Sequence, residues 1–271
     1  MHKKPFIILS AIFATAGLFF CLYPTVSDMV GTKNTVSKIE QFDEQVDNVV
    51  KDESYQEALD KGEIDSEGYP IDSSGNRVNQ SDSQSNAPLL FKPDLDRLYE
   101  DSVSYNENLK ENQTSLLTDS FSYVQPTIDL TEYGIFNGIY GYVSAPAINM
   151  KLPIYLGASD ENMSYGAGHL TYTSLPIGGE KTNTVLAGHT GYIGRTFFDN
   201  ICNLQIGDEV FLTNYWYTIS YKVVETEVYK PNQSQAIFIN DERDLLTMIT
   251  CVPDGNGDFN RLYVICERIE N

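Results

Sequence analysis

The stretch LLTMITCVPDGN, residues 245–256, combines an apolar run, a thiol and a turn. Its first six positions are apolar or β-branched, which is typical of a buried strand. Pro253, Asp254 and Gly255 follow Cys251 closely and end the strand, because these residue types favour turns. Cys251 therefore stands where a rigid strand meets a loop. A thiol in that place is either a small buried hydrophobe or a nucleophile beside a cleft.

The sequence around this stretch is rich in short β segments. From about residue 134 onwards, such segments follow one another at close spacing and are separated by glycine, proline and asparagine. Seven or eight strands of this kind predict a β-sandwich or a closed barrel. The segment EVFLTNYWYTISYKVV, 209–224, predicts a hairpin with its turn near Asn214, and TFFDNICNL, 196–204, predicts a short helical insertion.

Two other strand ends carry residues that could act with the thiol. TNTVLAGHTG, 182–191, reaches His189 as the apolar run ends, and NRLYVICERI, 260–269, opens with Arg261. Neighbouring cations favour the thiolate, which is the attacking form of cysteine. Imidazole can give a proton to a departing amine, and a permanently charged guanidinium can stabilise an oxyanion. The three residues predict acyl transfer through a thioester.

Each of the three residues also has an ordinary structural interpretation. Cys251 could be a core thiol, His189 a loop histidine bonded to backbone, and Arg261 a partner in a surface ion pair. His169, in GAGHLTYTS, is a second candidate general acid.

The remaining cysteines are expected to be structural. Cys266 lies five residues after Arg261, so alternation along a strand places it on the opposite face, in the core. Cys202, in the helical insertion, is also expected to pack in the core. Of the four Cys, Cys21 lies in the N-terminal apolar run, and the other three cannot pair completely, so no disulfide scaffold is predicted. These three Cys and the three His are widely spaced, so no Cys/His metal site is predicted either. No cofactor is expected.

The N-terminus has the pattern of a membrane anchor. Lys3 and Lys4 precede an uncharged, mostly apolar run from Phe6 to Tyr23, which is long enough to cross the core of a bilayer. The basic residues place the short N-terminus in the cytoplasm and the body of the protein outside. We expect residues 1–24 to form an uncleaved anchor in the cell membrane. A signal peptide cleaved near ATAG is the alternative.

The rest of the chain divides by composition. Residues 25–92 are acidic and include the polar run SSGNRVNQSDSQSNAP, so we expect a partly flexible stalk. Residues 93–133 are expected to form a helical extension with a candidate lid, and residues 134–271 the barrel. The formal net charge of −20 argues against a nucleic-acid partner, because phosphate neutralisation needs clustered cations.

Taken together, LAGHTG, TMITCVPDG and RLYVICER resemble the sortase family in the chain order His, Cys, Arg. The resemblance includes Thr250 before the cysteine and Pro253 after it. The segment 151–180 and the helical region before the barrel look most like class C sortases, the pilin polymerases of Gram-positive bacteria. The resemblance implies a mostly β fold, with a closed eight-stranded barrel, short helices and an N-terminal helical and lid extension.

The same resemblance implies an activity and residue roles. Sortases are thiol transpeptidases that cut an LPXTG-like sorting signal at its Thr–Gly bond and transfer the acyl group to an amine. The family's pattern makes Cys251 the nucleophile, His189 the general acid and base, and Arg261 the stabiliser of the oxyanion or the holder of substrate. Thr250 would contact substrate beside the oxyanion. In class C members the amine belongs to a pilin lysine.

The resemblance also implies a lid over the thiol. Class C enzymes usually carry an Asp-Pro-aromatic motif there, and LTDSFSYV, 117–124, offers Asp119 and Phe121 with Ser120 in place of proline. We expect Asp119 to pair with Arg261 and Phe121 to cover Cys251.

Three alternatives to a pilus enzyme stay open. No second apolar span follows the arginine strand, although many class C members have one, so a housekeeping or accessory sortase that anchors proteins to peptidoglycan is one alternative. A cysteine endopeptidase, in which water resolves the thioester, is the second. A non-catalytic surface barrel that binds peptides is the third.

Overall fold

The structure is a computed structural model, and its core is a closed barrel of eight β-strands. It describes residues 4–47, 52–66, 68–78, 92–116, 124–192, 196–231, 233, 235–239 and 242–269. The strands are β1 Ile139–Ala145, β2 Met150–Leu156, β3 Ala167–His169, β4 Thr182–Ala187, β5 Glu209–Asn214, β6 Thr218–Tyr229, β7 Asp244–Pro253 and β8 Phe259–Arg268. They follow one another around the barrel as β1-β2-β3-β4-β7-β8-β6-β5. The predicted eight-stranded barrel is confirmed, as is the β5–β6 hairpin.

Strand β7 lies between β4 and β8 in the barrel. It pairs in parallel with β4, from Thr182↔Asp244 to Ala187↔Ile249, and antiparallel with β8, where Cys251 lies opposite Arg261. The C-terminal ends of β4 and β7 and the N-terminal end of β8 therefore meet at one edge of the barrel.

Alternation along β7 and β8 separates the inside of the barrel from its outside. Leu246, Met248 and Cys266 belong to the main core inside the barrel, whereas Ile249 and Tyr263 belong to another apolar cluster on the outer face. Since side chains two residues apart share a face, Cys251 lies on the outer face with Ile249. The core position predicted for Cys266 is confirmed, and burial raises the pKa of its thiol above the ordinary range.

The N-terminal helix is longer than the sequence suggests. Helix α1 spans Lys4–Asp47 and has no break at residue 24. From Phe13 onwards it has the length and hydropathy of a membrane span. Its C-terminal part packs on the barrel, with Phe42 buried in an apolar cluster and Asn137 Nδ2 donating to Gln45 Oε1 at 2.5 Å. Residues 25–47 therefore form part of a helix that packs on the barrel, and not the expected stalk. Ile39 and Phe42, three positions apart, form an apolar stripe on this helix, and the barrel buries it.

Three shorter α-helices complete the described structure, namely α2 Asp52–Asp60, α3 Leu95–Leu116 and α4 Asp160–Met163. The described connections include 3-10 helices at Leu130–Tyr133, Pro146–Ile148, Ile201–Asn203 and Gln235–Ile237. Helix α3 lies within the expected helical extension, and Leu98 and Leu109 are its buried apolar contacts.

The prediction that Cys202 packs in the core is wrong. Its thiol is exposed, whereas the neighbouring Ile201 is fully buried. The 3-10 helix at this place has three residues per turn, so Ile201 and Leu204 face the core together and Cys202 faces solvent.

Candidate active site

Cys251 and Arg261 form a cross-strand pair at the barrel edge. The two residues are directly opposite in the β7–β8 register, and Arg261 Nη1 donates to Cys251 Sγ at 3.1 Å. Both side chains are half-buried. The pair therefore places a permanent positive charge next to a nucleophilic atom across the two strands.

His189 reaches the same edge from β4. The Gly188 amide donates to the Ile249 carbonyl at 3.1 Å and so extends the parallel pairing past the end of β4. His189 therefore follows on the strand next to Cys251, and neighbouring strands lie about 4.8 Å apart. The Phe198 amide donates to the His189 carbonyl at 3.0 Å and fixes the turn after it. A side chain at Gly188 would meet the Phe198 ring at 2.7 Å, so this close packing requires glycine.

The imidazole has an aromatic neighbour that sequence reasoning missed. The Tyr192 ring stacks on His189 with centroids 5.4 Å apart and planes 15° apart, and Phe197 packs edge-on against Tyr192. The sequence signal was a pair of aromatic residues soon after the histidine in the same loop. Stacking restrains the imidazole ring, which suits a proton donor that must hold one orientation.

Thr250 supports the histidine turn from within the barrel. Its side chain is buried, and Oγ1 donates to the Gly188 carbonyl at 2.8 Å and lies 3.1 Å from Thr190 Oγ1. Because Thr250 and Cys251 are adjacent on a strand, their side chains point to opposite faces. That Thr250 contacts substrate directly stays a prediction. Its hydrogen bond to the Gly188 carbonyl is present in the structure.

An apolar cluster lies on the outer face of the barrel, on the same side of β7 as the thiol. We call it the outer apolar cluster; its buried members are Leu170, Val185, Ile237, Ile249 and Tyr263. Ala158, Ala187, Tyr229, Ala236 and Phe238 pack against them. Ala236, Ile237 and Phe238, in and just after the 3-10 helix Gln235–Ile237, form one side of the cluster. Its half-buried members are the part of the cluster that solvent reaches on the outer face of the barrel, where Cys251 also lies.

His169, the second candidate acid, does not fit the role. Its ring is fully buried, and Nε2 contacts the Ser174 carbonyl at 3.0 Å and Thr173 Oγ1 at 3.2 Å. Burial lowers the pKa of His169 to about 4, so the ring is neutral at physiological pH. His169 is a core residue that joins β3 to the turn before β4.

The candidate lid residues, Asp119 and Phe121, lie outside the described residues, together with Ser120. Their expected contacts with Arg261 and Cys251 stay predictions. Within the described ranges, no group of three or more His, Cys, Asp or Glu side chains is arranged to hold a metal ion.

The chain is similar in sequence and in structure to proteins of one family. The profile of the Sortase domain family matches residues 143–269, which contain all three residues at the barrel edge. The crystal structure of sortase C-1 from Actinomyces oris is 31% identical with a TM-score of 0.55, and the match covers 65% of this chain and 99% of that one. The chain belongs to the sortase family.

Other members are similar over different lengths. Sortase C of Clostridium perfringens, solved with a C-terminal cell wall sorting motif, is 28% identical with a TM-score of 0.59, covering 87% of this chain and 100% of that one. Sortase D of Bacillus subtilis (strain 168) is 28% identical over 126 residues, 46% of this chain and 61% of the relative. The chain spans between 47% and 65% of the length of the curated relatives that it matches.

Proposed function

We propose that the protein is a membrane-anchored cysteine transpeptidase that cuts an LPXTG-like sorting signal at its Thr–Gly bond and transfers the acyl group to a pilin lysine. The observation that carries this proposal is the 3.1 Å contact from Arg261 Nη1 to Cys251 Sγ, beside the turn that bears His189. One edge of the barrel would then present a nucleophile, a fixed positive charge and a proton donor to the same carbonyl.

The first half-reaction forms a thioester. The Cys251 thiolate attacks the threonine carbonyl carbon, and the carbonyl oxygen becomes an oxyanion that the Arg261 guanidinium stabilises. The carbon–nitrogen bond then breaks, and protonated His189 gives its proton to the departing glycine amine. The threonine acyl group is left on sulfur.

The second half-reaction reverses these roles. The acceptor amine attacks the thioester carbonyl while neutral His189 takes a proton from the amine nitrogen. Arg261 stabilises the second oxyanion, the carbon–sulfur bond breaks, and Cys251 leaves as the thiolate. An isopeptide bond to lysine is the product.

Substrate recognition is assigned to the outer apolar cluster. Ile249 lies two residues before Cys251 on the same face of β7, so apolar side chains that precede the scissile bond would reach the cluster. The C. perfringens sortase C structure, solved with a cell wall sorting motif, supports a substrate of this class.

Helix α1 supports the proposed location in the cell membrane. The apolar part of α1 would anchor the chain in the cell membrane, and the charge of Lys3 and Lys4 would leave the barrel outside. Because the same helix packs on the barrel with Phe42, the anchor and the barrel would move as one body.

A housekeeping or accessory role is the second candidate. Several curated relatives are named sortase A, whereas the solved structures named here are C-type sortases. The two roles share the first half-reaction and differ in the amine that resolves the thioester.

A transfer assay tests both candidates with the full chain in detergent. A fluorogenic LPXTG peptide is supplied with either a peptide that carries a pilin lysine or a peptidoglycan stem peptide, and the ligated product is measured by mass spectrometry. We expect ligation to the lysine peptide, and no cleavage by Cys251→Ala. Preferred ligation to the stem peptide would favour the housekeeping role. Release by water alone would make the protein an endopeptidase, and binding without cleavage would make it a peptide-binding barrel.

A further inference from the structure

The segment 235–239 borders the outer apolar cluster but lies outside the barrel strands. It begins with the 3-10 helix Gln235–Ile237, and Ala236, Ile237 and Phe238 pack in the cluster. Because no described strand pairs with this segment, its buried backbone groups need partners from elsewhere. Those partners are two side-chain amides that come from opposite sides.

Asn183 supports the segment from the barrel. This buried residue of β4 donates from Nδ2 to the carbonyls of Ala236 at 2.9 Å and Phe238 at 3.1 Å. Its own Oδ1 accepts from Thr247 Oγ1 at 2.9 Å, which fixes the orientation of the amide.

Gln113 supports the same segment from helix α3. Its side chain is buried, with only 4% exposed, and Oε1 accepts from the Ile239 amide at 2.7 Å. Nε2 donates to the Ile237 carbonyl at 3.3 Å and to the Tyr172 carbonyl at 3.2 Å. Both hydrogens and the oxygen of the amide are therefore used, and one side chain joins the helix, segment 235–239 and the β3–β4 connection.

The same face of α3 holds the β3–β4 connection at two more points. Tyr105, eight residues before Gln113, accepts from the Tyr172 amide at 3.1 Å. Asn106 pairs with both backbone groups of Leu175, at 2.8 Å to the amide and 3.3 Å to the carbonyl. Helix α3 is thus fastened to the barrel, so Gln113 can hold segment 235–239 in a fixed place.

We propose that Gln113 is a positioning residue that sets the affinity for the sorting signal by holding the 235–239 side of the outer apolar cluster. This inference rests on the proposed function of that surface. It assigns to the helical extension before the barrel a part in substrate binding that does not involve the scissile bond.

Loss of the Gln113 amide should affect the binding of the peptide and not the chemical step. Segment 235–239 would touch peptide side chains that do not change between ground state and transition state, so loosening it removes uniform binding. We expect Gln113→Met to raise KM for the peptide ~10-fold and to change kcat by less than ~2-fold, because buried backbone groups at Ile237 and Ile239 lose their partners.

The experiment measures KM, kcat and backbone hydrogen exchange in the full chain. Gln113→Met removes all three hydrogen bonds, and Gln113→Glu keeps an acceptor for Ile239 but cannot donate as a carboxylate. Glu107→Gln is the control, since Glu107 is exposed on the same helix and pairs with Lys110 at 2.7 Å. Both Gln113 variants should raise KM and speed exchange over 235–239, and the control should do neither.

Several results would overturn the proposal. A wild-type KM in either Gln113 variant overturns it, as does a loss confined to kcat, since Gln113 would then act on the chemical step. If Gln113→Met does not fold, Gln113→Glu decides by the same criteria. If the wild-type chain does not cut the peptide, the proposed function fails, and unchanged exchange over 235–239 in Gln113→Glu then also removes the positioning role.

Discussion

Replacement of Arg261 by Lys tests whether the guanidinium does more than supply charge. In the structure Nη1 lies 3.1 Å from Cys251 Sγ, and the planar fork leaves further N–H groups for the substrate carbonyl. A lysine ammonium is a single point at the end of a flexible chain, so it cannot hold the sulfur and the oxyanion together. Loss of one oxyanion donor typically lowers kcat ~10²–10³-fold, or about 2.7–4 kcal/mol.

We therefore expect Arg261→Lys to lower kcat/KM by at least ~10²-fold in a fluorogenic peptide assay. The rate of Cys251 alkylation should fall much less, because the positive charge beside sulfur is retained. Arg243→Lys is the matched control, since Arg243 pairs with Glu267 at 3.0 Å at the other end of the strands. Turnover of Arg261→Lys within ~3-fold of wild type would instead show that Arg261 acts only as a point charge.

Substitutions at the buried groups and at the lid should affect stability, pH dependence and thiol reactivity. Thr250→Val should lower the unfolding free energy in urea by about 1–2 kcal/mol and should lower kcat, because the Gly188 carbonyl loses its hydrogen-bond partner. Unchanged values would show that this hydrogen bond contributes to neither stability nor catalysis. His169 has a pKa near 4 when folded and about 6.5 when unfolded, so the unfolded state binds more protons between these values. The unfolding free energy should therefore fall as pH drops from about 6.5 towards 4, by about 2 kcal/mol at pH 5. In His169→Gln that dependence should be weaker, and the same pH profile in the variant would contradict the assignment. Phe121→Ala should speed labelling of Cys251 by a thiol reagent, and an unchanged rate would remove the lid.

The barrel and its edge could be predicted because their signals are local. Alternation and turn residues mark the ends of β4 and β7 and the start of β8, and His189, Cys251 and Arg261 occupy those positions. The parallel β4–β7 pairing that brings the first two together is a long-range contact, and it was supplied by the family resemblance rather than by spacing.

The remaining features depend on contacts without a local pattern. Ile39 and Phe42 are too few among acidic neighbours to show that α1 continues onto the barrel. The exposure of Cys202 depends on which residue of one short 3-10 turn faces the core. The sequence around Gln113 does not indicate its role, because its side chain forms hydrogen bonds with backbone groups 59 and 126 residues away in the chain.

The most direct test is to trap the acyl group on the protein. The full chain is mixed with an LPXTG-like peptide without an acceptor amine, quenched in acid and digested for mass spectrometry. We expect the peptide's acyl fragment, cut after threonine, on Cys251 as an adduct that hydroxylamine removes, with no adduct in Cys251→Ala. An adduct on Cys202 or Cys266, or cleavage that persists in Cys251→Ala, would contradict it.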